Sequence, residues 1–189
     1  MKICFLAPAN SIHSHRWIKY FADKGHHVYW ISLHPQSVGT DGTAFYEIKQ
    51  AHVRVFQFFS ALRQVRKLIK DIKPDVLHVH SVAIYGLVGA LIGFHPFVAT
   101  AWGSDVLVDG KSLVKKPFVK YVLNKADLIT CDANHMVSAM KELGGDRNKV
   151  KIIYFGIDTQ KFHPTERNEE LRKQLGISDS PAIISMRNF

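Results

Sequence analysis

The chain has 189 residues, 47% of them apolar and 22% charged, a globular composition that fits one domain with part of another and excludes disorder. Its two cysteines, Cys4 and Cys131, both fall in short apolar runs, which argues against a disulfide framework and for a reducing compartment. The net charge of +9 suits anionic lipid or phosphorylated substrates better than nucleic acid, because no helix-turn-helix, zinc-knuckle or RNP-type pattern accompanies it.

Short apolar runs alternate with helical patterns, the mark of a parallel sheet with crossover helices. Lys2–Ala7 is the first strand, too short for a signal h-region and without a small-residue cleavage site. Ser14–Lys24 is a helix with Trp17, Tyr20 and Phe21 on one face and Gly25 as its stop. His27–Leu33 is a second strand, Pro35–Thr43 a loop, and Val53–Phe58 a third strand. Phe58, Leu62, Val65, Ile69 and Ile72 then recur at helical spacing, with Arg63, Arg66, Lys67, Lys70 and Lys73 between them, until Pro74.

Asp75–His80 is a strand and Val82–Phe94 an apolar helix whose Gly86, Gly89 and Gly93 permit close packing on a sheet. The longest uncharged stretch, Ser81–Ser104, is broken by His95-Pro96. The helical piece left, about 13 residues, falls short of the ~20 that a spanning helix needs. Phe97–Ala101 is a strand, Pro117–Asn124 a helix, Leu128–Cys131 a strand, Ala133–Leu143 a helix and Lys151–Phe155 the last strand of the domain. Thr165–Gln174 is polar and helical, and Ala182–Met186 begins another strand. The expected organisation is a Rossmann-like domain over residues 1–164, an interdomain linker with a helix over 165–180, and the start of a second domain over 181–189. A strand with nothing after it to bury its faces reads as a truncation.

Ligands of open α/β sheets bind beyond the carboxyl ends of the strands, near the topological switch point. The unusual polar residues collect there: Asn10, Ser11, His13, Ser14, His15 and Arg16 after the first strand; His80 and Ser81; Trp102, Gly103, Ser104 and Asp105; and Gly156-Ile157-Asp158. The first loop opens a helix N-terminus, suited to an anion or a sugar hydroxyl, or simply to capping by Asn10 or Ser11. It is neither Gly-x-Gly-x-x-Gly nor a Walker loop, which disfavours a tightly cradled dinucleotide or triphosphate. His78-x-His80 puts two imidazoles on one strand face, but no third metal ligand accompanies them. His78 therefore reads as core, and His80 as a hydrogen-bonding or acid–base group facing the cleft. Asp105 either caps its Gly-Ser-Asp turn or holds a ligand, and Trp102 is either a core aromatic or a stacking surface for a sugar ring.

Four stretches, Lys73–His80, Thr100–Val106, Tyr154–Pro164 and Ile184–Arg187, resemble glycosyltransferase family 4, whose retaining enzymes pair two Rossmann-like domains in the GT-B fold. The most specific is Gly156-Ile157-Asp158-x3-Phe162-x-Pro164, which marks the approach to the interdomain linker. The resemblance implies retaining sugar transfer from a nucleotide-sugar donor to a hydroxyl, with no metal and no cofactor beyond that co-substrate. Arg187 matches the arginine that holds the donor diphosphate, while the family's lysine and paired glutamates fall past Phe189, so these residues alone are expected to be inactive. The first loop lacks the glycine pair of many members. Trp102 stands where many have a histidine, which leaves His80 or His13 to fill that role.

The reading of the sequence is thus an α/β, doubly wound parallel sheet, the N-terminal half of a GT-B glycosyltransferase, cytoplasmic and peripheral to the inner face of the membrane. His80, Trp102 and Asp105 are its candidate catalytic residues, Asn10, Ser11, His13 and Arg16 its acceptor site, and Arg187 its donor contact. The acceptor is lipid-linked or a polysaccharide. Arg63, Arg66, Lys67, Lys70, Lys115 and Lys116 would meet an anionic membrane surface, although the helix carrying the first four is also an ordinary solvated face. The alternatives are a nucleotide-sugar epimerase of the same architecture and a non-catalytic membrane- or partner-binding member of the fold.

Overall fold

The computed structural model describes every residue except 36–38, 40–41, 50, 52–53, 178 and 185–189. Seven parallel strands form one sheet: β1 (Lys2–Leu6), β2 (His27–Ser32), β3 (Thr43–Glu47), β4 (Val76–His80), β5 (Phe97–Thr100), β6 (Leu128–Cys131) and β7 (Val150–Ile152), in the order β3-β2-β1-β4-β5-β6-β7. The helices are α1 (Ile12–Asp23), α2 (Arg54–Ile72), α3 (Ile84–Ile92), α4 (Ser104–Leu107), α5 (Lys116–Lys125), α6 (Asn134–Glu142) and α7 (Glu169–Gln174). The order reverses between β1 and β4, the kind of switch point at whose carboxyl side open α/β sheets bind ligands in a crevice. The chain divides into two compact units, Met1–Tyr154 and Phe155–Phe189.

The central strands are covered on both faces, and so they read in sequence as continuous apolar runs. Ile3 and Phe5 of β1 pack with Val28, Trp30 and Ile18 of α1 on one face. Cys4 and Leu6 point to the other, into a larger core with Val65, Val88, Val122 and Met140 from the remaining helices. Both cysteines are free and buried, and burial pushes the Cys4 thiol up to about 12.

Of the expected third strand Val53–Phe58, Val53 lies outside the described residues and the rest is helical. Helix α2 is already formed from Arg54, and the strand is Thr43–Glu47, which includes the last residue of the expected loop. β3 is an edge strand paired only with β2 and half-exposed, so it lacks the apolar run that announces a buried strand. The Phe-rich stretch imitates one because Phe56 and Phe59 lie exposed on the first turns of α2. Gly93 also differs from expectation: it closes α3 in the left-handed conformation at φ 72°, with nothing near its missing side chain. Gly86 and Gly89 are the close-packing glycines: a Cβ at Gly86 would come within 2.9 Å of Ser81 O and Val122 Cγ1, and one at Gly89 within 2.6 Å of Val79 Cγ1 and 3.0 Å of Phe97 Cε2.

In the second unit, Asp158 accepts the backbone N–H groups of Gln160 and Lys161 at 3.0 and 3.1 Å, so the Gly-Ile-Asp motif closes a capped turn. Asn168 caps α7 by accepting Leu171 N–H at 2.9 Å. Pro181–Ile184 carry no strand, and the rest of the expected Ala182–Met186 strand lies outside the described residues.

Gly89→Ala should cost about 1–3 kcal/mol, because its neighbours are interior side chains with little room to yield. Denaturant melts of this variant, with the exposed-site control Ser104→Ala beside it, test the packing; equal midpoints would refute it.

Candidate active site

Helix α1 follows β1 after a short loop, which is tied down by bonds between side chains and its backbone. Trp30 Nε1 donates to the Ala7 carbonyl at 2.9 Å, Ala9 N–H donates to Ser32 Oγ at 3.0 Å, and His15 Nε2 lies 3.0 Å from the Ala9 carbonyl. Ser11 takes the N-cap position, yet its side chain makes no capping hydrogen bond. Asn10 and Arg16 are exposed and His13 is half-buried.

Across the crevice, β4 ends in His80 and β5 leads to Trp102. The His13 ring meets Trp102 edge-on at 5.1 Å, and Trp102 lies 5.3 Å from His80. Trp17, Phe5 and His78 surround His80 at 5.8, 5.5 and 5.0 Å between ring centroids. His13, His80 and Trp102 therefore form one cluster on three elements, as their places at the strand ends suggested.

His80 does not face the cleft. It is fully buried, with Nδ1 3.4 Å from Ser14 Oγ, because Trp17 and Phe5 close over the end of β4. Burial, with His78 and His13 close by, holds its pKa well below the ordinary histidine value, so the ring is neutral. Its Nε2 and the Trp102 indole Nε1 are both buried with no hydrogen-bond partner among the described residues. His78 is core, as expected: its Nε2 shares a 2.7 Å hydrogen bond with Thr100 Oγ1, which shares another of 2.7 Å with Thr130 Oγ1. Burial lowers the His78 pKa to about 3.

Asp105 is also buried, on the short helix α4. Its Oδ2 accepts Val82 N–H at 2.7 Å and its Oδ1 accepts Trp102 N–H at 3.0 Å. Burial raises its pKa, and these bonds oppose the rise. The carboxylate thus staples the loop after β4 to the loop after β5. Ser81, at φ 77°, and Gly103, at φ 106°, mark how sharply the two loops turn. Gly103 needs its missing side chain, since φ 106° lies in a region that L residues rarely adopt.

Trp17, Thr100 and Thr130 were not singled out as site residues in the sequence, and Ser14 stood only among the polar residues of the first loop. The signal for the threonines was there, because both stand at the carboxyl ends of adjacent strands. Among the described residues no three metal-ligating side chains come together. Arg187 lies outside the described residues.

Residues 2–133 match the glycosyl transferase 4-like family. The chain belongs to that family. Its sheet is a Rossmann-like half of the GT-B architecture. An uncharacterized glycosyltransferase of Methanocaldococcus jannaschii is 28% identical over 116 residues, which cover 58% of this chain and 32% of that protein. HepE of Anabaena, solved in complex with UDP, superimposes with a TM-score of 0.71 at 17% identity, over 95% of this chain and 51% of its own. The lipopolysaccharide outer core galactosyltransferase WaaB, in its apo form, gives 0.62 at 14% identity, over 89% and 50%. UDP-N-acetylglucosamine 2-epimerases share the fold at TM-scores of 0.58 to 0.61. This glycosyl transferase 4-like chain thus spans about half the length of the solved structures and about a third of the curated relative.

Because His78 is held near 3 when folded against 6.5 when free, the unfolded chain binds more protons in between. Stability is complete above that window and falls, by on the order of a few kcal/mol, as the pH drops through it. Denaturation midpoints from about pH 7 to about pH 4 should show the loss, and His78→Gln should reduce it, leaving the share that the buried, down-shifted His80 contributes; a slope unchanged by the substitution would count against the assignment. Asp105→Asn keeps one acceptor oxygen but turns an amide N–H₂ toward a backbone donor, so it should lower stability by about 2 kcal/mol, whereas exposed Ser104→Ala should be neutral.

Proposed function

We propose that this chain is the acceptor-side part of a retaining glycosyltransferase that moves a hexose from a nucleotide sugar to a hydroxyl of a lipid-linked or polysaccharide acceptor at the inner face of the cell membrane. The observation that carries the reading is the cluster of His13, Trp102 and His80 at the switch point, beside the start of α1. Membership of the glycosyl transferase 4-like family supports it, as do the HepE structures with UDP and UDP-glucose and the lipopolysaccharide core on which WaaB acts.

In this reading Asn10, Ser11, His13 and Arg16 line the acceptor pocket, and His13, half-buried against Trp102, hydrogen-bonds the acceptor hydroxyl. The half-buried Trp102 ring presents an apolar surface to a sugar. His80, neutral and enclosed, is a positioning residue that fixes Trp102, and Asp105 fixes the loops that carry both. Residues 1–164 form the acceptor-side domain, 165–180 the linker, and 181–189 open the donor-binding domain. Arg187 reaches the donor diphosphate there. No metal and no cofactor other than the nucleotide sugar takes part.

A protein carrying both domains should release nucleotide from a nucleotide sugar only when a lipid or glycan acceptor is present, and the 189-residue chain should release none. His13→Ala should lower kcat/KM about 100-fold or more. Interconversion of the sugar nucleotide without any acceptor would favour the epimerase, and donor binding without turnover a non-catalytic member.

A further inference from the structure

We propose that the loop Val108–Lys116 and the N-terminal ends of α3 and α5 form a docking surface for an anionic lipid bilayer. Crossover helices start at the carboxyl edge of the sheet, so this surface lies on the same edge as the His13, His80 and Trp102 cluster. A groove of about 330 Å³ runs between α3 and α5, walled mainly by Ala83, Ile84, Leu87, Phe118 and Val119 and also by the paired Asp109 and Lys115. Ile84 also lines a second groove, of about 160 Å³, toward Phe58 and Ala61 of α2. An apolar trough therefore crosses the start of α3, immediately beyond the Val82 N–H that Asp105 holds.

The loop beside it is shaped for insertion. Leu113 and Val114 project at its tip, 93% and 74% exposed, flanked by Val108 at 65% and Phe118 at 48%. Residues 108–120 carry four lysines, Lys111, Lys115, Lys116 and Lys120, against the single carboxylate Asp109, which pairs with Lys115 at 2.8 Å. Apolar tips framed by lysines match a surface with an acyl interior and anionic headgroups: the stems follow the apolar side chains inward while the ammonium groups stay at headgroup level. A second copy docked on a two-fold axis would set the same lysines against one another, which disfavours it.

The basic residues of α2 are a poorer fit. Arg66 donates to the Leu91 carbonyl at 2.9 Å, closing the end of α3, and Arg63, Lys67 and Lys70 lie farther along α2, away from its N-terminal end. Of the basic residues picked out in the sequence, Lys115 and Lys116 belong to the docking surface, and the α2 set is a solvated face.

The surface extends the proposed function but does not depend on sugar chemistry, so the test needs no donor. Flotation of the chain with vesicles of phosphatidylcholine alone, or mixed with phosphatidylglycerol, reads it directly. Binding to the mixed vesicles, weakened by salt and nearly absent without the anionic lipid, is the expected result. Leu113→Asp with Val114→Asp should lower that binding about tenfold or more, with the circular-dichroism spectrum unchanged because both side chains are exposed. Replacing Arg63, Lys67 and Lys70 with Gln should leave it within about twofold. No flotation with either vesicle, equal flotation with both, or full binding by the Leu113/Val114 variant would overturn the proposal. Capture of an acidic peptide in place of vesicles would overturn it too. None of these results bears on acceptor-dependent nucleotide release, so the two claims fail separately.

Discussion

Two backbone N–H groups from loops 20 residues apart in the chain, on Val82 and Trp102, end on the carboxylate of Asp105. Strands β4 and β5 are neighbours, but a sheet fixes only what lies within its ladder, and the residues past each strand are free to diverge. The bond pair removes that freedom. It holds Ser81 and Gly103 in their left-handed conformations, brings Trp102 beside His80, and sets Ile84 at the head of the apolar trough. A buried carboxylate is costly unless its oxygens are satisfied, and here backbone donors satisfy both.

A second constraint runs across the sheet beneath the site. His78, Thr100 and Thr130 form a hydrogen-bonded row on three adjacent strands, buried within the core. Together with Phe5, Trp17 and His80 they make a compact patch of rings and hydroxyls under the crevice, where neutral imidazoles are tolerated and charged ones are not. The buried Nε2 of His80 and Nε1 of Trp102 point to a site kept polar inside an apolar wall.

Much of this architecture was legible in the sequence because parallel central strands are short apolar runs. Leu128–Cys131 could be read to the residue, and the unusual side chains at the strand ends are those that the sheet gathers at its carboxyl edge. β3 was not legible, since an edge strand buries only part of itself, while the aromatic start of α2 carries the residue types of a strand. The enclosure of His80 was hidden for another reason. It depends on Trp17 folding back from α1, a contact between residues 63 positions apart that no local pattern encodes. Asp105 could be placed near the site, but that its partners are backbone groups of two loops follows only from the assembled sheet.

The tethering of the first loop has a consequence for how such a protein diversifies. Three backbone atoms of Ala7 and Ala9 are held by Trp30, Ser32 and His15, so the segment leading into α1 behaves as a rigid shelf and not as a pliable flap. Side chains at 10, 11, 13 and 16 can then be exchanged one at a time without the shelf reshaping itself. In the proposed acceptor pocket, a change of acceptor is then a matter of swapping fittings on a fixed frame, which point substitution can reach without rebuilding a loop.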